Sequence, residues 1–217
     1  MASSENTPPD RSTPPTQGRV RWRRFAAIML PSAAAAAALL GLTAQGVLAS
    51  SFSVSGQQFK VSADSLIGTG GFQQFGSVDH GAGSPPALYP VAVSEIGSAK
   101  LVNLCQSVVT NFPFGLGAYT LTITAGGGAT AVSATNLVVD ATQLSGDASF
   151  GNINIGQDAS TLNAVPGVPA GQAGTFGQQA STVTIDNLHQ TAYATSAGTF
   201  TLPGFGLKLA AGDHPCF

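Results

Sequence analysis

Large apolar and small polar residues alternate in short runs along the chain, as in Phe59-Lys60-Val61-Ser62-Ala63, Tyr119-Thr120-Leu121-Thr122-Ile123-Thr124 and Val183-Thr184-Ile185-Asp186. Successive side chains of a strand point to opposite faces, so a period of two predicts strands buried on one side. Helical spacing is almost absent. Ser94 to Thr110 fits both patterns: Ile96, Leu101, Leu104 and Val108 would make a helical stripe, whereas Ala99, Leu101, Asn103 and Cys105 alternate as in a strand. Gly126-Gly127-Gly128, Gly146-Asp147 and the stretch from Pro166 to Gly177 read as turns or loops between the runs.

A loose repeat runs through the same region. Ser62-Ala63-Asp64-Ser65-Leu66, Lys100-Leu101-Val102-Asn103-Leu104, Ser133-Ala134-Thr135-Asn136-Leu137 and Thr184-Ile185-Asp186-Asn187-Leu188 each bring small polar residues up to a leucine. The leucines are unevenly spaced, unlike the fixed period of a regular solenoid. Strands returning across a common sheet explain the likeness. The expected fold is all-β: a curled, mainly antiparallel sheet or two-layer β fold, with an irregular β-solenoid as runner-up.

The N-terminal quarter has another character. All five arginines (Arg11, Arg19, Arg21, Arg23, Arg24) precede an apolar run from Phe25 to Leu42. A cationic block before an apolar stretch is the mark of an exported chain, with the positive side held in the cytoplasm. Residues 1–24 are expected to be a disordered cytoplasmic tail, and 25–49 a signal peptide or an apolar transmembrane helix. Val47-Leu48-Ala49-Ser50 offers small residues where a signal peptidase would cut. Residues 50–217 then form one extracytoplasmic β domain, secreted or membrane-anchored.

Charge narrows the functions open to that domain. From Ser50 onward three lysines (Lys60, Lys100, Lys208) face eight acids, a balance of −5. A chain without a basic face has no electrostatic source for binding a phosphate backbone, which sets nucleic acid aside. Two cysteines remain, Cys105 and Cys216. In an oxidising compartment an isolated pair is expected to form a disulfide, pinning the C-terminal end.

The strings Asn103-Leu-Cys-Gln-Ser-Val-Val-Thr110, Asn136-Leu-Val-Val-Asp-Ala-Thr-Gln-Leu-Ser-Gly146, Gly151 to Leu162 and Asn187 to Phe200 resemble an uncharacterised actinobacterial (Streptomyces-type) family of short exported, membrane-associated β-rich proteins. Members are often labelled cholesterol esterase by automatic transfer. The resemblance therefore implies a lipid-ester hydrolase as one activity to test.

Residues give that activity little support. A serine hydrolase of the α/β type needs its nucleophile on a G-x-S-x-G elbow, and no serine here has glycine at both of those flanking positions. A triad built otherwise would draw on Ser77 or Ser84 with His80 and Asp79, yet adjacent residues on a strand face opposite sides. His80, His189 and His214 show no metal-ligand spacing, and the triple glycine lacks a P-loop lysine. No catalytic residue, metal or cofactor is assigned.

Two apolar segments loosened by glycine and proline stand out, Phe112-Pro113-Phe114-Gly115-Leu116-Gly117 and Leu202-Pro203-Gly204-Phe205-Gly206-Leu207. They read either as bends leading into core strands or as an exposed lip touching lipid, membrane or protein. Phe112, Phe114, Leu116, Phe205 and Leu207 are the candidate contacts. The sequence thus predicts a non-catalytic cell-envelope protein that binds a lipid ligand or an envelope partner. A structural protein docking on an integral membrane protein is the third possibility, beside the hydrolase.

Overall fold

The computed structural model describes residues 55–81, 84–112 and 117–217. The tail, the apolar segment and its expected helix lie outside these residues. Ten strands occur among them: β1 (Phe59–His80), β2 (Leu88–Val102), β3 (Leu104–Phe112), β4 (Gly117–Ala125), β5 (Val132–Gly151), β6 (Asn154–Asp158), β7 (Phe176–Ala180), β8 (Thr182–Ser196), β9 (Thr199–Thr201) and β10 (Gly206–Ala211). Ser94–Thr110, ambiguous in sequence, is strand apart from the break at Asn103.

Register shows these strands to be pieces of four long ribbons. β1 is the first, and β2 with β3 the second. β4 and β5 run back along the second, from Phe112↔Gly117 through Leu101↔Val132 to Ala92↔Ala141, and β6 completes this third ribbon. β7 to β10 return along the third, from Asp158↔Phe176 through Ala148↔Ile185 to Tyr119↔Ala211. The fourth ribbon then pairs with the first, Leu66↔Ile185, so the sheet closes on itself. From Leu66, the route through Leu101 reaches β5 at Val132, and the route through Ile185 reaches it at Ala148, 16 residues away (148 against 132). A stagger that large on four ribbons tilts them steeply and winds them round the core. Every pairing is antiparallel, which corrects the solenoid runner-up, since solenoid coils stack in parallel.

Ribbons this long can wrap a core only if they bend. Two lines of bends cross the sheet. Along one, Asn187, Gly146, Asn103 and Gly126 interrupt neighbouring ribbons, and Asn103 N donates to Gly126 O at 2.9 Å while Gly126 N donates to Pro203 O at 2.8 Å. Along the other lie Gly70 and Gly71, Gly97 and Asn136; a side chain on Gly97 would collide with the Gly70 carbonyl. Gly146 therefore lies inside β5, opposite a bulge that Asn187 and Leu188 make in β8, and is not the turn its sequence suggested.

The loose repeat is the signature of these bends. Asn103, Asn136 and Asn187 adopt φ of 54°, 46° and 52°, a conformation that asparagine tolerates better than most residues. Each bend resets the alternation so that the next residue turns inward. Leu104, Leu137 and Leu188, with Leu66 at the matching place in β1, are all buried and meet around one apolar void of about 30 Å³. The interior is otherwise filled by valine, isoleucine and alanine from all four ribbons. A second, smaller cluster (Phe75, Val91, Val93) lies outside the closed sheet, under Ala159 and Leu162 of the segment linking β6 to β7.

Candidate functional site

β3, β4 and β10 extend past the closed part of the sheet as a flank. β1 pairs with β3 only over Lys60 to Ser62, and β10 pairs with β4 alone. Cross-strand partners share a face, so register separates the two sides of this flank. On one side lie Val108, Leu121 and Leu209 in one row, with Ile123 and Leu207 in the next and Phe112 and Tyr119 at the tip. This side continues the inward face marked by Leu104. The first ribbon pairs with this flank no further than Lys60 among the described residues, and Leu207 and Leu209 are 59% and 65% exposed.

The other side is polar and covered. Cys105, Ser107, Thr120, Thr122 and Thr124 face it, and the segment Gly212–Phe217 lies across them. Thr120 Oγ1 donates to Gly212 O at 2.7 Å and accepts from His214 N at 2.9 Å, and Cys216 N donates to Ser107 Oγ at 2.9 Å. Cys105 and Cys216 are joined in a disulfide, with Cα atoms 5.9 Å apart. Lys60 Nζ donates to Phe217 O at 2.8 Å and sits over the Phe217 ring, which packs edge-on against His189. Among the described residues the hydroxyl-rich face of the flank is thus covered and the apolar one left open.

Of the predicted contacts, Phe112 belongs to the open face, its ring edge-on to Tyr119. Leu207 is on it too, and Phe205 is exposed at the turn into β10. Phe114 and Leu116 lie outside the described residues. Leu209, Leu121 and Ile123 escaped sequence reasoning, although the alternation Leu207-Lys208-Leu209 was there to be read. A half-open groove of about 610 Å³ adjoins this face, lined by Phe59, Gln106, Val108, Tyr193 and Phe200 among others. Gln106, Thr195 and Phe200 separate it from the small central void.

The residues of the hypothetical triad are not linked. Among the described residues no side-chain hydrogen bond joins Ser77, Ser84, Asp79 and His80, and Asp79 Oδ2 is buried without a partner. Asp79 instead belongs to a band of acids with Glu95 and Asp140. Burial raises all three carboxyls above their ordinary range. Glu95 is pushed up to about 7, and Asp140 to about 6 with help from the Asp79 charge. No group of metal-ligating side chains occurs among the described residues. None of their helices is long and apolar enough to cross a membrane.

Over the described residues, fold and flank define an all-β domain with a disulfide-tied end and an apolar face that no described segment covers. The chain belongs to the family of unknown function DUF6230, which it matches over residues 55–217. No curated protein and no solved structure matches it.

Proposed function

We propose that this is a non-catalytic protein of the cell envelope, exported by its N-terminal segment, that docks through the apolar side of its β3-β4-β10 flank on lipid or on an envelope partner. The observation that carries the reading is the exposure of Leu207 and Leu209 in a face continuous with Val108, Leu121 and Ile123, while the polar side of the same strands is strapped down. Two leucines held open in water at alternate positions of one strand, beside Leu121 and Ile123, are unfavourable, and such patches mark contact surfaces. The filled interior, with a void too small for an acyl chain, favours contact at the surface over sequestration inside.

The test is native mass spectrometry of the full chain released in mild detergent, with a nitrophenyl-ester assay on the same sample. Co-purified lipid or a stoichiometric partner, lost in Leu207→Ser/Leu209→Ser, is the expected result. Ester turnover abolished by a serine-directed inhibitor would overturn the reading and restore the hydrolase.

A further inference from the structure

The segment between β6 and β7, residues 159–175, lies as a strap over the outer face of β1 and β2 and is held from below by buried polar side chains. Val165 N donates to Gln73 Oε1 at 3.3 Å, and Asn163 N and Ala164 N both donate to Gln179 Oε1 at 2.8 and 3.0 Å. Gln73 is fully buried, and its Nε2 donates to Glu95 Oε2 and reaches Pro169 O. Glu95 thus fixes the amide that grips the strap, and it is only 3% exposed. The strap also packs tightly on the sheet: a side chain on Gly71 would overlap the Ala164 carbonyl, and one on Gly171 the Phe75 ring.

The charges around Glu95 are one-sided. From β1 it faces neutral Gln73. From β5 the opposed residue is Val138, and Asp140, two residues on, adds negative charge. Asp79 of β1 acts on Asp140 and is itself offset by His80. From β8 the Tyr193 ring packs on the same outer cluster as Val138. The strap carries no ionisable side chain between Ala159 and Thr175. A carboxylate this buried is poorly solvated, and no cation among the described residues pairs with it.

We propose that Glu95 and Gln73 form a proton-dependent latch on the 159–175 strap, closed while Glu95 is protonated and loosened when it ionises. The protonated carboxyl still accepts from the Gln73 amide, so the grip on Val165 survives in the neutral state. The ionised carboxylate is better served by water, which reaches it when the strap lifts. Because burial raises the Glu95 carboxyl from 4.5 to about 7, closure is firmest below the ordinary glutamate range and weakens as pH rises through neutrality.

Hydrogen exchange of the Val165 amide in the full chain tests this. After correction for intrinsic chemistry, protection should fall about 100-fold between pH 5 and pH 8, each pKa unit being worth tenfold. Glu95→Gln should abolish that fall. A flat profile in the parent protein, or an undiminished fall in Glu95→Gln, overturns the latch. Should Glu95→Gln not fold, Asp140→Asn serves, since removing the neighbouring charge should move the midpoint to lower pH; an unmoved midpoint contradicts the proposal. Limited proteolysis at pH 8 should cut first within 159–175, and cuts spread evenly over the strands would show global loosening instead.

Discussion

Three asparagines and four leucines carry most of the shape of this protein. Asn103, Asn136 and Asn187 bend the ribbons in the left-handed region, and the leucine that follows each is thereby turned into the core. At Asn187, Nδ2 also donates to Asp147 Oδ2 at 2.9 Å across the bend. Replacing Asn187 by valine forces a β-branched side chain into that conformation and should cost about 2 kcal/mol, whereas Asn187→Gly should cost less. Urea unfolding of the two variants checks the order. Leu188, 1% exposed, should cost about 3 kcal/mol on truncation to alanine, since the void it lines cannot collapse freely.

At the scale of elements, the flank is held from its polar side. The Cys105–Cys216 bond spans 111 residues of sequence, for which chain entropy allows on the order of 4 kcal/mol. Cys105→Ser/Cys216→Ser should lose stability of that order, with protection of the backbone amides at positions 214 and 216 lost first. Leu207→Ser/Leu209→Ser, by contrast, should change stability by about 0.5 kcal/mol or less, because both side chains are already in water.

Alternation made these strands legible, and the even number of cysteines together with an expected oxidising compartment made the disulfide legible. The repeat was legible as strands returning across one sheet, but not as a line of bends, because φ cannot be read from composition. The strap was legible only as a glycine- and proline-rich loop. Its grip depends on Gln73, Glu95 and Gln179 meeting through register, and nothing local in the sequence brings them together.

For the whole molecule, ionisation opposes folding on one side of neutrality. Glu95 and Asp140 both bind protons more readily in the fold than in the unfolded chain. Their contribution to stability is fullest below pH 4 and is lost as pH rises to about 7, with Glu95 alone worth on the order of 3 kcal/mol. Thermal melting should therefore fall from pH 5 to pH 8, and Glu95→Gln should flatten most of the slope.

Among the described residues the closed sheet has its interior filled, the polar side of its flank tied down and the apolar side bare, so the proposed docking is expected on one face only. Photo-crosslinking of the full chain in its own membranes compares the two faces directly. A photoreactive side chain at position 209 should yield an adduct with lipid or with one defined membrane protein, and the same group at Thr122 should yield none. No adduct from position 209, or equal labelling from both faces, would contradict docking through this flank.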